Sequence, residues 1–399
     1  MSPSGGRPGR LCAMLEPTDL TTRATEALQT SFGTEATVVG RAPGRVNLIG
    51  EHTDYNAGLV LPVALPHATY AAAAPRTDGV IRIASAQEPE PFTGHIDELG
   101  PEIDGWAAYV AGVLWTLREA GLVTGGLDMH LESSVPLGAG LSSSASVECA
   151  TAMAALGVAG RQLDEELQRA VVAAGIRAET EVANAPTGGM DQSVAVFAEA
   201  GGALLIDFES GEHRSVPLAL GERTILVTDT RVKHQLTDGG YASRRAQCEK
   251  AAADLGLRSL REATLAQVET LGDDVVRRRA RHIVTEIARV EPTVAALGAG
   301  EWTAIGELFA ASHASMRDDF EISVPELDLA VETAVGAGAD GARMTGGGFG
   351  GSIVSILPTA AVETVSAAID KAFAEAGYGA PGHLIASPSA GAMFTEAMS

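Results

Sequence analysis

Strand-like and helix-like segments follow one another along this chain without strict alternation, and this order most restricts its fold. Alternating apolar residues predict a strand in "LDMHLESSVPLG", and an apolar run predicts another in "RTILVTDTRV". A doubly wound parallel sheet needs strands and helices in regular succession, so we predict the α+β class instead. Helical periodicity predicts helices over 18–33, 105–121, 143–157, 163–182 and 361–376, and mostly helical structure from 240 to 336.

The chain has 399 residues, of which 46% are hydrophobic, so it is long enough for two domains and can bury a sizeable core. The first residues are rich in Gly, Pro, Ser and Arg, so we expect a disordered tail over 1–14, with Met14 as an alternative start. Near 200–222 a mostly helical block gives way to predicted strands, and we divide the remainder of the chain into two domains there. The predicted domains are an N-terminal α+β domain over 15–210 and a C-terminal α+β domain over 211–399.

Composition limits the partners that this chain can have. The formal net charge of −23 argues against a nucleic-acid-binding surface, which needs clustered Lys and Arg, and against anionic membranes. The first residues lack the apolar segment of a secretory signal, and no apolar run reaches the ~18 residues of a membrane span. Cys12, Cys149 and Cys248 share no metal-binding spacing. We therefore expect a cytoplasmic protein without nucleic-acid or membrane partners, present as a monomer or a weak homo-oligomer.

Residues 44–60, "GRVNLIGEHTDYNAGLV", interleave charged and titratable side chains with residues that favour burial. Ordinary surface loops carry such polar groups, but Val46, Leu48 and Ile49 favour packing against a core. That packing would hold the polar groups between them in fixed positions. The side chains held in this way are those of Arg45, Glu51, His52 and Asp54.

A Gly-rich loop leads directly into an apolar helix in "VPLGAGLSSSASVECATAMAAL", residues 135–156. Gly138 and Gly140 allow the backbone to approach a ligand closely. A helix N-terminus offers unpaired N–H groups and a partial positive charge, so the segment fits a phosphate-binding loop whose serine hydroxyls can reach Mg²⁺. A simple serine N-cap is the alternative. Three consecutive serines, 142–144, favour phosphate binding.

Two common nucleotide-binding patterns do not fit this sequence. The pattern GxxxxGK[ST] needs a lysine after a glycine, and none of the three lysines, Lys233, Lys250 and Lys371, follows a glycine. Residues 346–351, "GGGFGG", contain the letters of the dinucleotide-binding motif GxGxxG, but "SIVSILP" after them predicts a strand where that motif needs a helix. This loop is either a tight hairpin or a backbone wall beside a phosphate site.

Two carboxylates, those of Asp191 and Glu179, are candidates for chemistry. Asp191 follows Gly188 and Gly189 and precedes an apolar stretch, so it fits a general base, a metal ligand or a helix cap. Considered alone, Asp191 is more often a cap, and Glu179 alone is a solvated helix residue. The nine histidines show no HExxH or HxH pattern, so no zinc site is predicted.

Four segments together resemble one family. "GRVNLIGEHTDYN" resembles the signature of the galactokinases, and "SHASMRDDFEISVPELD", residues 312–328, is similar to galactokinase sequence as well. "PLGAGLSSSAS" resembles the phosphate loop of the GHMP kinase superfamily, and "ARMTGGGFGG" resembles its third motif. The resemblance runs from about residue 40 to 352. It implies a two-domain GHMP-kinase-like fold of the α+β class, with ATP and sugar in the interdomain cleft.

The resemblance also implies a reaction and roles for individual residues. ATP and α-D-galactose give ADP and α-D-galactose 1-phosphate, the first committed step of galactose catabolism. Asp191 is the expected catalytic base, Arg45 the electrostatic partner of the transferring phosphoryl group, and Ser144 and Glu179 the ligands of the cofactor Mg²⁺. The residues expected to contact the sugar are Glu51, His52, Thr53, Asp54, Gly188 and Tyr241. The residues expected to contact ATP are Ser85, Gly138, Ala139, Gly140, Leu141, Ser142, Ser143 and Ser144.

This reaction accounts for the polar residues of 44–60. A sugar offers only hydroxyl groups, and a fixed carboxylate such as that of Asp54 can accept two hydroxyl hydrogen bonds at once. A site that pairs each hydroxyl can reject an analogue lacking one by about 10⁴-fold or more.

Two other functions remain open on the sequence. Another sugar 1-kinase of the superfamily would act on an N-acetylated hexosamine, a pentose or a uronic acid, and Thr187 and Gly189 stand where some galactokinases carry Cys and Ile. A galactose sensor resembling this family binds sugar and ATP without turnover and has lost residues of the serine-rich loop. Here "GLSSSAS" is intact and both Glu179 and Asp191 are present, which favours an enzyme.

Overall fold

Helices and strands are mixed along the part of the chain that the computed structural model describes, residues 17–232 and 240–397. The predicted tail over 1–14 and the alternative start at Met14 lie outside the described residues. The helices predicted over 18–33, 105–121, 143–157 and 361–376 are confirmed. None of the described helices is long and apolar enough to cross a membrane.

Eleven α-helices lie within the described residues. Several begin at side-chain caps: Asp164 accepts a hydrogen bond from the backbone N–H of Leu167, and Asp273 accepts from Val275. The helices are α1 (Pro17–Phe32), α2 (Ala107–Glu119), α3 (Ser143–Val158), α4 (Glu165–Arg177), α5 (Met190–Phe197), α6 (Gly240–Leu255), α7 (Leu265–Val268), α8 (Asp274–Ala299), α9 (Trp302–Asp318), α10 (Pro325–Gly336) and α11 (Val362–Ala376).

Thirteen strands of the described residues form three sheets. The strands are β1 (Val38–Asn47), β2 (Leu59–Val60), β3 (Pro62–Arg76), β4 (Val80–Ser85), β5 (Glu88–His95), β6 (Gly126–Ser133), β7 (Gly202–Asp207), β8 (Glu212–Pro217), β9 (Arg223–Asp229), β10 (Gly341–Thr345), β11 (Ser352–Pro358), β12 (Gly382–Ala386) and β13 (Met393–Glu396). Their orders are β13-β1-β3-β6-β4-β5, β10-β11-β9-β12 and β2-β7-β8. Among these pairings only that of β4 with β6 is parallel. Parallel strands need crossover connections, so a mostly antiparallel arrangement agrees with the lack of regular strand–helix alternation.

The six-stranded sheet is covered on both faces. Tyr70 and Ala72 of β3 pack with α1, whereas Ala71 and Ala73 pack with α2 and α3 on the other face. This alternation follows from the two-residue period of a strand. The α5 helix contacts β1 and β3 as well, and its first turn meets β1 at Arg45, near the end of that strand.

One hydrophobic cluster joins the N-terminal and C-terminal halves of the chain. Val46 and Leu48 pack with Val227 of β9, Val354 of β11 and Phe309 of α9, and all are fully buried. The apolar residues of the 44–60 segment are therefore buried as predicted. The last strand, β13, returns to pair with β1 in the first sheet. The domain boundary at 210/211 stays a prediction.

Candidate active site

The side chains of Asp191 and Arg45 form an ion pair at the centre of the candidate site. Arg45 Nε donates to Asp191 Oδ1 at 2.8 Å and Nη2 donates to Oδ2 at 2.9 Å, so the pair is bidentate. Asp191 lies in the first turn of α5, but the residue at the N-cap is Gly189 and no side chain caps this helix. The interpretation of Asp191 as a helix cap is therefore wrong.

The Gly-rich loop lies directly against this ion pair. Arg45 Nη1 donates to the carbonyl oxygen of Gly140 at 2.6 Å, and the backbone N–H of Arg45 donates to Leu141 O at 3.1 Å. Ser142 adopts a left-handed conformation with φ 59° at the start of α3, and its hydroxyl donates to Asp191 Oδ2 at 2.5 Å. Because Ser142 makes no side-chain cap on α3, the simple N-cap alternative is wrong as well.

The second Gly-rich loop, residues 346–351, stands beside the first. It joins β10 to β11, which are antiparallel, so no helix follows it and the dinucleotide motif is excluded. Ser352 Oγ donates to Ala139 O at 2.7 Å. A Cβ added at Gly346 would lie 3.0 Å from Gly140 O, tighter than ordinary contact, and Gly346 has a φ of 87° that favours glycine. The loop is thus the turn of the β10–β11 hairpin, and its backbone approaches that of the first loop closely. A phosphate site beside it stays a prediction.

Asp54 and Gly188 face each other, and Asp54 lies close enough to Asp191 to be affected by its charge. A Cβ at position 188 would overlap the Asp54 carboxylate, so any larger residue here would push that carboxylate out of its position. Burial, followed by the charge of Asp191, raises the pKa of Asp54 to about 6. Burial also raises the pKa of Tyr241 well above its ordinary value, and the charges of Asp54 and Asp191 add to that shift. Asp54, Asp191 and Tyr241 are therefore electrostatic neighbours.

Glu179 occupies a widened turn that the periodicity did not predict. The helix predicted over 163–182 stops at Arg177, and a π-helical turn, Ala178–Val182, follows it. Glu179 Oε1 accepts a hydrogen bond from Ser144 Oγ at 2.9 Å. Burial, followed by the charge of Asp191, raises the pKa of Glu179 to about 7. The interpretation of Glu179 as a solvated helix residue is wrong.

Comparison with known proteins identifies the family. The galactokinase galactose-binding signature matches residues 26–75, and the N-terminal and C-terminal domains of the GHMP kinases match residues 108–199 and 293–375. A galactokinase of Streptomyces coelicolor is 49% identical over 381 residues, which cover 92% of this chain and 96% of that protein. The chain belongs to the galactokinase family. A galactokinase of Bos taurus is 43% identical over 87% of this chain and 90% of its own length.

The fold agrees with that of a solved galactokinase. The structure of Lactococcus lactis galactokinase complexed with galactose matches with a TM-score of 0.88 at 31% identity, over 92% of this chain and 98% of that one. A mevalonate kinase structure matches with a TM-score of 0.63 at 17% identity, which shows the shared fold alone. The predicted α+β, two-domain GHMP fold and the galactokinase family are confirmed, and the chain is an ATP-dependent sugar kinase.

Three residues of the galactokinase signature have protein partners for their side chains. Glu51 accepts from Gly346 N at 2.5 Å and from Asn47 Nδ2 at 2.7 Å. Thr53 is fully buried and donates to backbone oxygens of Gly50 and Leu59. The rings of His52 and Tyr241 lie 5.2 Å apart, and His52 Nδ1 and Nε2 bond Tyr55 Oη and Gly347 O. These contacts shape the signature loop, and direct sugar contacts by Glu51, His52 and Thr53 stay predictions.

Ser85 lies further from the ion pair, on the sheet beside the strand that feeds the Gly-rich loop. It stands opposite Leu131 of β6, and its hydroxyl donates to Gln87 Oε1 at 3.2 Å. Because β6 ends at Ser133, Ser85 is at the end of the sheet from which the loop departs. Its expected ATP contact stays a prediction.

Sequence reasoning missed three buried residues that support the galactokinase site: Gln192, Glu286 and Arg343. Arg343 lies in the third motif, "ARMTGGGFGG". A charged residue inside an apolar strand indicates a buried ion pair, so the sequence did contain a signal for it. Glu286 sits on the apolar face of α8, between Ile283 and Val290, which is again a signal of a buried carboxylate.

Proposed function

We propose that this chain transfers the γ-phosphoryl group of ATP to the anomeric hydroxyl of α-D-galactose, giving α-D-galactose 1-phosphate and ADP. The observation that carries the proposal is the Asp191–Arg45 pair, which contacts the Gly-rich loop and whose Asp191 is an electrostatic neighbour of Asp54. A phosphate donor held on the loop and a sugar held by Asp54 would meet at this pair. Membership of the galactokinase family supports the choice of galactose.

The reaction is an in-line displacement at the γ-phosphorus. The bond from the anomeric oxygen to phosphorus forms while the bond to the bridging oxygen of ADP breaks, and the hydroxyl proton passes to Asp191. In a loose transition state this proton leaves late, so a carboxylate that orients the hydroxyl suffices as base. Arg45 and the N–H groups at the start of α3 stabilise the negative charge on the transferring group.

Ser144 and Glu179 fit a magnesium ion that nucleotide phosphates hold in part. Mg²⁺ takes hard oxygen ligands, one or two carboxylates among them, and completes its shell with phosphates and water. Glu179 has no ion pair within the described ranges, and its raised pKa marks a position where a cation would be favourable. Residues 17–232 and 240–397 hold no cluster of three or more His, Cys, Asp or Glu side chains that forms a metal cage alone. When bound, Mg²⁺ neutralises charge on the phosphate oxygens.

The test of the proposed function is sugar-dependent ADP release with Mg·ATP. Galactose, glucose, 2-deoxygalactose and N-acetylgalactosamine are compared at equal concentrations. Strong turnover on galactose with little on glucose is the expected result. Turnover only on another sugar would keep the phosphate chemistry and overturn the roles of Asp54 and Gly188, whereas ATP binding without turnover on any sugar would indicate a sensor.

Gly188→Ala is expected to lower kcat/KM for galactose by about 10²-fold, because the added methyl displaces the Asp54 carboxylate and the sugar with it. Steady-state kinetics measure this, with the KM for ATP expected to stay near that of the wild type. Gly298→Ala is the matched control, since its methyl meets open space on α8. Unchanged galactose kinetics in Gly188→Ala would place the sugar elsewhere.

Galactose affinity is expected to rise as the pH rises through about 6. Below that value Asp54 holds a proton and loses its capacity to accept two hydroxyl hydrogen bonds, and above it the carboxylate is free to accept them. Affinity should therefore fall about tenfold per unit well below pH 6 and level off above pH 7. Isothermal titration with galactose between pH 5 and 8 measures the effect. A flat profile would exclude Asp54 as the sugar-binding carboxylate.

A further inference from the structure

We propose that Gln192 is a positioning residue whose side-chain amide fixes the orientation of the Glu179 carboxylate toward Ser144. The inference rests on the proposed function, in which Ser144 and Glu179 meet Mg·ATP. Gln192 follows Asp191 on α5, and its side chain is fully buried. Its amide N–H groups go to carboxyl groups of the protein, so it would act through Glu179.

Both oxygens of Glu179 are held by donors from different helices. Gln192 Nε2 donates to Glu179 Oε2 at 2.7 Å, and Ser144 Oγ donates to Oε1 at 2.9 Å. A carboxylate bound through each oxygen to a separate rigid element cannot rotate without losing a hydrogen bond. Removing the amide would free one oxygen and leave the other as the single anchor.

Glu148 holds the Gln192 amide in turn. Gln192 Nε2 donates to Glu148 Oε2 at 2.9 Å, so the same NH₂ group serves two carboxyl groups. Glu148 lies on α3 one turn beyond Ser144, on the same face of that helix. A flipped amide would set its oxygen against the Glu179 carboxylate, so the contact with Glu179 selects one orientation of Gln192.

Glu148 is suited to this role as a neutral acid. It is fully buried and makes no ion pair within the residues that the structure describes, and burial, reinforced by Glu179, raises its pKa well above the ordinary value. Glu148 Oε1 and Gln192 Oε1 are both buried without a partner. A protonated Glu148 carries a hydrogen-bond donor of its own, which a carboxylate lacks.

Residues that orient a metal ligand without touching the metal change metal affinity by about 10–100-fold when they are lost. Gln192→Met keeps the side-chain length and removes both donors. In this variant the Mg²⁺ concentration for half-maximal activity is expected to rise by about 10–100-fold. Binding of Mn²⁺ with a non-hydrolysable ATP analogue, followed by electron paramagnetic resonance, is expected to weaken in parallel. The affinity for galactose, titrated without nucleotide or metal, is expected to stay unchanged.

Glu148→Gln is the conservative variant, since an amide reproduces the hydrogen bonds of a neutral acid, and it is expected to match the wild type. Unchanged metal dependence in Gln192→Met would overturn the inference, as would an equal loss of galactose and metal binding. Should Gln192→Met fail to fold, Gln192→Asn withdraws the amide by one methylene and carries the same expectations. A wild-type chain that does not phosphorylate galactose with Mg·ATP would instead contradict the proposed function.

Discussion

Asp191→Asn is expected to lower kcat by about 10²–10⁴-fold, the usual contribution of a positioned general base, while galactose still binds. The side chain keeps its size but loses the ability to take the hydroxyl proton. In the wild type, Asp191 accepts hydrogen bonds from Arg45 and from Ser142. In the variant, the NH₂ group of asparagine would face one of these donors and could not accept its hydrogen bond. Arg45 would therefore lose part of its anchor, which adds to the loss in kcat.

Single-turnover kinetics and galactose titration separate these effects. Ser142→Ala is the control: it removes the 2.5 Å hydrogen bond to Asp191 and leaves the bidentate Arg45 pair in place, so its loss in kcat is expected to be much smaller. Near-normal turnover in Asp191→Asn would remove Asp191 from the mechanism. A loss confined to galactose affinity would make Asp191 a sugar-binding residue without a part in proton transfer.

Local sequence predicts the helices and strands of this fold better than it predicts which functional residues contact one another. Period and turn residues predicted α1, α2, α3 and α11, because helices depend on neighbours three and four positions away. Arg45 and Asp191 are 146 positions apart, and no local pattern reports such a contact. Considered alone, Asp191 fits a base, a metal ligand or, most often, a helix cap, and only the resemblance of several motifs to one family places it with Arg45 at one site.

The end of α4 shows why some local structure also escaped prediction. The apolar period continues through 163–182, so an ordinary helix was expected to run to its end. The π turn at Ala178–Val182 carries Glu179, whose carboxylate bonds Ser144 on α3 and Gln192 on α5. Both partners of Glu179 lie in other helices. The conformation of this turn therefore depends on tertiary contacts that the local sequence around 163–182 does not reveal.

Arg343 is the strongest case of a residue whose importance only the fold reveals. Its side chain is fully buried and donates to the backbone oxygen of Leu48 at 2.8 Å and to Glu51 Oε2 at 2.9 Å, 292 positions away. Glu286 Oε1 lies 3.5 Å from the guanidinium and accepts from the backbone N–H of Gly50 at 3.0 Å. Arg343 thus ties the galactokinase signature loop to the third motif and to α8.

Arg343→Met is expected to lower the free energy of unfolding by about 3–5 kcal/mol, because it leaves two buried carboxylates without their shared cation. Burial raises the pKa of Glu51 even beside Arg343, so Glu51 would take up a proton when the arginine is lost. Burial opposes ionisation of Glu286 as well, but Arg343 and His282 help to hold its pKa lowered to about 2. Loss of Arg343 therefore weakens the anchor of Gly50 and Glu51 on α8.

Urea denaturation at pH 7 measures the loss, with galactose titration on the folded protein as the second readout. Arg258→Met is the matched control, since Arg258 pairs with Glu262 on the surface, where such a pair contributes about 0.3–0.5 kcal/mol. Galactose affinity is expected to fall in Arg343→Met and to stay unchanged in Arg258→Met, because only Arg343 holds the signature loop. Equal destabilisation in the two variants would mean that the buried network relaxes without cost, and Arg343 would then be a packing residue alone.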